Sequence, residues 1–546
     1  MTDPHVVINV VRGEMQPWSD LESASAPAHG PLLIDLVVRA SSGRTRALVV
    51  GPHGDDVLSA VAESVEHATV LLRSVTDAEH VASLALPGTR VVAGALDGLD
   101  EDGFDLVVAA DGLERVLGAD SPALSWPERL ALLTRTATSD AALLVSVRNE
   151  FGLPSLFHTA VPRDRDGDDE WVPLYSDSDR PRSTTEVRAA LAPRQANVFS
   201  IVSSGGAMVA SVESGLASSR HGLGTRVLVD AVRSAAVGHA VLAPLGEIAE
   251  RARDAGTLEI VVPAWLAVVG VPLPACAWMA GDNLLVAAAD EGGWIAEASN
   301  GHRTSPLPEA PTAEALLFGH AESEDVPGFR AVAARLGELV RDEGALVSPV
   351  IWDAVLVGGV PVRAEPSVGG DLPADVALAA AWFRFLDRLL SQDRRHPWPP
   401  WTLGDGLVRI WLSMSGVADA RDDVLVRGRE TADALRTARG EPDPAVVTDL
   451  RTAAARVADL ERELTEMHGH VLGLERTLTM RDGQLRAETA RARKLKAKLA
   501  TEQTRRRRAE SSRAYRLARR LKNLRPRRTA PAASRRGDTL PPNDSR

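Results

Sequence analysis

The stretch Arg46-Ala-Leu-Val-Val-Gly-Pro-His-Gly-Asp-Asp56 constrains the chain more than any other. Four consecutive small or apolar residues, Ala47 to Val50, suit a parallel strand covered on both faces, and Gly51 and Gly54 allow a turn that other residues would strain. Val57, Leu58, Val61 and Ala62 then repeat at helical spacing. A strand, a tight turn and a helix N-terminus together form a general device for holding a small ligand in doubly wound α/β folds. Gly51, Pro52, His53, Gly54 and Asp55 are therefore the first candidate ligand-binding residues.

The neighbouring sequence repeats the same rhythm. A strand-like Val6 to Val11 and a loop rich in Ser, Ala and Pro precede a helical pattern at Gly30 to Ala40. Further strands are predicted at Ala68 to Leu72, Arg90 to Ala93, Phe104 to Ala109 and Ala141 to Val147, with helices at Asp77 to Leu84 and Trp126 to Thr136. Short helices between recurring strands imply a parallel sheet with right-handed crossovers. The predicted class is α/β, a Rossmann-like doubly wound sheet.

The order Ala47-Leu-Val-Val-Gly51, Val70-Leu-Leu-Arg-Ser74, Val92-Ala-Gly94, Phe104-Asp-Leu-Val-Val-Ala-Ala-Asp-Gly-Leu-Glu114 and Ala142-Leu-Leu-Val-Ser146 resembles class I S-adenosylmethionine-dependent methyltransferases. The phrase Ser146-Val-Arg-Asn-Glu-Phe-Gly-Leu-Pro-Ser-Leu156 is similar to the fifth-strand exit of methyltransferases encoded with bacterial surface-polysaccharide genes. The resemblance spans residues 30–270. It implies S-adenosylmethionine as cofactor and methyl transfer to a saccharide or lipid-linked saccharide. In such enzymes the sulfonium methyl is already electrophilic, so the protein has mainly to hold the cofactor and align the nucleophile.

The resemblance implies three anchors, and the sequence departs at each. The acid that usually stands two residues before the first turn glycine is Val49, and His53 and Asp55 occupy turn positions where the family prefers glycine. Where an acid at the end of strand two would accept the ribose hydroxyls stands Arg73, which has no acceptor. After Gly94 the usual acid near the adenine is Ala95, with Asp97 two positions on. Two readings follow: a variant site in which Asp55, Asp77, Asp97 or Asp111 takes a changed role, or a methyltransferase fold that has lost its cofactor and serves as a scaffold. Arg73 beside a phosphate is a minor third alternative.

No competing catalytic pattern emerges. The 13 histidines show no His-Glu-x-x-His motif, Asp164 to Glu170 lacks a twelve-residue calcium pattern, and no Gly-x-Ser-x-Gly occurs. Ile260 to Ala280 carries no charge, but Pro263, Pro272 and Pro274 divide it, so two strands forming the antiparallel edge of the sheet are expected rather than a membrane span. A single cysteine, Cys276, excludes a disulfide framework and suits a reducing cytoplasm, and the N-terminus carries no visible secretory signal.

The expected organisation is an N-terminal segment (1–29), the methyltransferase-like domain (30–280), a smaller α+β domain (281–430), a coiled coil (446–504) and a basic, partly disordered tail (505–546). In the α+β domain, Ser348 to Glu365 reads as a β-hairpin without the acids of a phosphotransferase site. From Val446 to Leu499 apolar residues follow a 4,3 repeat broken only by Arg481 and Glu488, which implies a partner helix, most simply from a second copy, with a long solvated helix folded back on its own body as the alternative.

The net charge of -12 conceals an asymmetry: residues 491–536 hold 19 Lys or Arg against two Glu. Arginines interleaved with Tyr515, Leu517, Leu521 and Leu524 suit an anionic surface at the inner face of the cell membrane, with a merely solvated tail as the alternative. Nucleic acid is disfavoured, since no recognition fold accompanies the tail and the body is acidic.

Overall fold

The computed structural model describes residues 8–16, 19–21, 26–157, 177–235, 241–291, 293–299, 301, 303, 309–342, 354–357, 360–363, 372–391, 394–402, 404–438 and 450–522. The loop 164–170 and the last residues of the tail lie outside them, as does most of the sequence flanking the hairpin strands. The chain divides into two units, Met1–Ala455 and Arg456–Arg546.

The first unit is built on a sheet of 12 strands among the described residues. Strands β1 (Asn9–Val10), β2 (Arg46–Val50), β3 (His67–Leu72), β4 (Thr89–Ala93), β5 (Phe104–Ala109) and β6 (Ala137–Arg148) run parallel in the order β1-β4-β3-β2-β5-β6. Strands β7 (Ala196–Ser204), β8 (Ala207–Glu213), β9 (Ala264–Val269), β10 (Cys276–Ala280), β11 (Asn283–Asp290) and β12 (Gly293–Ala298) continue it antiparallel in the order β9-β7-β8-β10-β11-β12. The uncharged stretch 260–280 thus contains two strands, from Ala264 onward, but not a closing edge: β9 lies inside the sheet between β6 and β7. Pairing also runs on past residue 280, through β11 and β12.

Alternation along each parallel strand explains why the sheet is covered on both sides. Leu48, Val50, Leu71, Val107, Leu143 and Val145 enter one core, while Ala47, Val49, Val70, Leu106, Val108 and Leu144 enter the other. Helices α1 (Pro31–Ser41), α2 (Asp55–Ser64) and α3 (Val75–Ser83) cover the second face with Leu36, Val57 and Val81. The first is covered by α4 (Trp126–Thr136), α5 (Leu153–Phe157), α6 (Thr184–Ala190), α7 (Leu223–Ala235), α8 (Leu245–Asp254) and α9 (Leu258–Val261). The start of α4 follows from sequence: Ser125 and Glu128 form a capping box, and Pro127 sits in the first turn.

A separate core gathers α10 (Ala313–Glu322), α11 (Val326–Asp342), α12 (Ala374–Ser391), α13 (Asp405–Met414) and α14 (Asp422–Ala438). The rings of Phe329, Trp382, Phe385, Trp398 and Trp411 meet tilted or edge-on at its centre, and Trp382 Nε1 donates to Ser415 Oγ at 3.0 Å. The expected hairpin is present as β13 (Ala354–Val357) against β14 (Val360–Arg363).

The second unit is helical. Helix α15 runs Leu450–Ser511, from just before the unit boundary, and α16 spans Arg513–Lys522. No helix among the described residues is long and apolar enough to cross a membrane.

Candidate functional site

In a doubly wound sheet the ligand crevice opens beyond the C-terminal ends of the strands, where the strand order reverses. Here that point lies at β2, which pairs β3 on one side and β5 on the other. Gly51 leaves β2 with φ +84°, a conformation that favours glycine, and its N–H donates to Leu71 O at 3.0 Å. Pro52 is buried behind it. His53 turns inward with no exposed surface and bridges the two arms of the crevice. Its Nε2 accepts from the Ala110 N–H beyond β5 at 3.2 Å, so Nδ1 carries the proton and donates to Gly51 O at 3.0 Å. Burial lowers the His53 pKa, as does Arg115, while Asp111 opposes them.

The chain's own N-terminal segment lies across the rest of the crevice mouth. This strap crosses β4, β3 and β2 in turn: Val11 N–H donates to Ala93 O at 2.8 Å, Met15 N–H to Arg73 O at 2.8 Å, and Ala28 O accepts from Gly54 N–H at 2.9 Å. The approach is close enough to require glycine at Gly13, where φ is +88° and an added Cβ would lie 2.3 Å from the Ala95 Cβ.

Charges fix the strap. Arg73 donates from Nε and Nη2 to the two oxygens of Asp20, each at 2.7 Å, and from Nη1 to Leu117 O at 3.1 Å. Both side chains of this pair are buried. Asp77 accepts from Ser19 Oγ at 2.6 Å, from Asp20 N–H at 2.7 Å and from Leu21 N–H at 3.3 Å. Burial raises the Asp77 pKa, and the bonds from Ser19 and the strap backbone oppose that shift.

Gly51, Pro52, His53, Gly54, Arg73, Gly94, Ala95, Asp97 and Asp111 do gather along one edge of the sheet, but they meet protein. Asp97 accepts from Arg12 Nη2 and from Ser121 Oγ, each at 2.6 Å. Asp111 pairs with Arg115, whose Nη1 also donates to the strap carbonyl of Asp20 at 3.2 Å. Ala95 N–H donates to Arg12 O at 2.9 Å, and Gly94 N–H to Leu72 O at 2.7 Å. Asp55 faces outward and meets His80 Nε2 at 3.0 Å.

The arrangement does not fit a bound nucleoside. Where the resemblance implies a carboxylate that accepts the ribose hydroxyls, the end of β3 presents a buried guanidinium already engaged with Asp20. Sequence reasoning missed Arg12, Gly13, Met15 and Asp20, because nothing local in residues 8–21 signals that they pair with strand ends far along the chain.

A second, partly buried cluster of charges lies just beyond β5. Glu114 faces Arg180 at 3.1 Å, and Arg180 also meets Asp177 at 2.9 Å and Glu150 at 3.2 Å, with Arg129 paired to Asp177. Burial raises the Glu114 pKa, opposed by Arg180 and Arg129. Among the described residues no group of three or more His, Cys, Asp or Glu is placed to hold a metal ion.

No protein-family model matches the chain, and no curated protein is significantly similar to it. Solved structures that overlap it include mitomycin 7-O-methyltransferase MmcR, with 17% identity over 22% of this chain and 37% of that one, at a TM-score of 0.18. The N,N-8-amino-8-demethyl-D-riboflavin dimethyltransferase RosA from Streptomyces davawensis overlaps with 20% identity over 21% of this chain and 36% of that one, at 0.17. The MccD protein overlaps with 9% identity over 44% of this chain and 98% of its own length, at 0.22. The chain therefore spans little more than a third of the first two. It has an α/β fold with methyltransferases among its structural neighbours.

Proposed function

We propose that the sheet domain is a non-catalytic, methyltransferase-like module and that the chain works as a scaffold. One observation carries this reading: the buried Asp20–Arg73 pair that holds the N-terminal strap over the strand ends. Of the acids that a variant cofactor site could use, Asp77, Asp97 and Asp111 are engaged with protein partners, and Asp55 points outward to His80. The working parts would then be the rod α15, which brings copies together, and the basic helix α16, which seats them on the anionic inner face of a membrane. By the likeness of Ser146 to Leu156, the enzymes so gathered would assemble surface saccharides.

Calorimetric titration of S-adenosylmethionine and S-adenosylhomocysteine into the full chain tests the reading. No heat of binding up to millimolar ligand is expected. Micromolar binding would overturn it and return the domain to the methyltransferases, with the strap as a displaceable cover.

A further inference from the structure

Helix α15 is 62 residues long, about 93 Å at 1.5 Å per residue. Its apolar stripe stands in solvent: Leu464, Met467, Leu478 and Leu485 are each 62–64% exposed. Lettered with Leu450 at a, the stripe fills a and d of successive heptads, and both breaks, Arg481 and Glu488, fall at d. Two apolar positions in seven make a seam for one or two partner helices rather than a face for a globular core.

We infer that the partner is a second copy of this chain and that the two rods pair antiparallel, centred near Gly483. The two charged seam positions decide the direction. In a parallel pair d faces d, so Arg481 would meet Arg481 and Glu488 would meet Glu488 inside the seam. Like charges there repel, and neither desolvated group gains a counter-ion. In an antiparallel pair a faces d. Centring on Gly483 sets Arg481 opposite Leu485 and one layer from the partner's Glu488, and the symmetry axis repeats the bond.

The charge along the helix agrees with this arrangement. Residues 450–482 hold six acids and five bases, whereas 483–511 hold three acids and ten bases. A parallel pair would stack the two basic halves on each other, while an antiparallel pair sets each against a near-neutral half and brings Glu463 beside the partner's Arg505. The two C-terminal ends then stand about 84 Å apart, which would give an assembly two separated basic seats. The inference rests on the rod being an assembly element. A monomeric chain would sink that reading as well, whereas a parallel dimer would sink only the direction.

The test uses the full chain with single cysteines at Ala487→Cys or Thr465→Cys. Cys276 is fully buried, with its thiol pushed up to about 12, so spin labels go to the introduced sites. Double electron–electron resonance should give a short distance between copies at 487 and about 54 Å along the axis at 465. Short distances at both sites would overturn the inference in favour of a parallel pair, and a monomeric mass without dipolar coupling would overturn it outright. A charge swap adds an independent readout. Arg481→Glu should weaken association roughly tenfold, and Arg481→Glu combined with Glu488→Arg should restore it. Equal association of the single variant and the unaltered chain would overturn the assigned register.

Discussion

Asp20 and Arg73 stand 53 residues apart in sequence and meet through two charge-assisted hydrogen bonds of 2.7 Å inside the protein. The guanidinium thereby joins the N-terminal strap to the end of β3. Removing one partner of a buried pair leaves the other charge without compensation, which typically costs about 3–5 kcal/mol. Asp20→Ala should therefore lower the free energy of denaturant unfolding by about that amount. Arg73→Asp, which would restore the acid of a cofactor site, should destabilise too, because it sets two carboxylates against each other. It should bring no affinity for S-adenosylmethionine in the same titration.

Gly13 reports on the strap itself. A methyl group at this position would strain the backbone and collide with Ala95. Gly13→Ala should thus loosen residues 8–16 and 19–21 while leaving the strands beneath intact. Hydrogen exchange resolved by mass spectrometry should show faster exchange at Val11 and Met15, whose amides bond the strand ends, than at the β2 amides.

His53 gives the domain a pH dependence with a definite sign. Its folded pKa lies below the ordinary 6.5 because the ring is buried, so below pH 6.5 the unfolded chain takes up a proton that the folded chain refuses. Stability contributed by the neutral ring is therefore complete at neutral pH and is lost as pH falls from 6.5 toward the lowered folded value. The slope can reach about 1.4 kcal/mol per pH unit. Urea midpoints measured from pH 7.5 to 5 should show this slope in the unaltered protein and a flatter profile in His53→Leu, whatever that variant loses at neutral pH.

Cys276 sits on β10 with no exposed surface, and burial pushes its thiol up to about 12. The thiolate is the reactive species, so iodoacetamide at pH 8 should leave the folded chain unmodified and label it only through unfolding. Labelling in graded denaturant should then follow the unfolding transition of the sheet domain. Rapid alkylation in buffer would show that β10 opens on its own.

The parallel half of the sheet was legible because its signals are local. Phe104–Ala109 and Trp126–Thr136 have the ends that the sequence predicted, the first set by an apolar run and the second by Ser125 and Glu128. The gathering of Gly51, Arg73, Gly94 and Asp111 along one edge followed from strand order. What fills that edge did not, because the pairing of Asp20 with Arg73 depends on a long-range charge match that neither periodicity nor propensity encodes. The continuation of the sheet through β11 and β12 was hidden for a related reason. Antiparallel strands joined by tight turns carry the same alternation whether they extend an existing sheet or begin a new domain.

Helix α16 is amphipathic. Ala514, Leu517, Ala518 and Leu521 fall at i, i+3, i+4 and i+7 and form one apolar stripe, with Leu517 and Leu521 each exposed by more than 60%. Arg513, Arg516, Arg519, Arg520 and Lys522 take five of the other six positions among the same ten residues. A helix of this kind lies in a membrane interface with leucines in the acyl region and arginines at anionic headgroups, each basic residue contributing about 1 kcal/mol. The full chain should therefore float with vesicles containing phosphatidylserine and not with pure phosphatidylcholine, and binding should fall as salt rises. Leu517→Asp with Leu521→Asp keeps five of the basic charges but removes the apolar stripe, and it should abolish flotation. Retained binding in that variant would mean that charge alone holds the tail to the surface, and an unchanged response to salt would argue against the anionic partner.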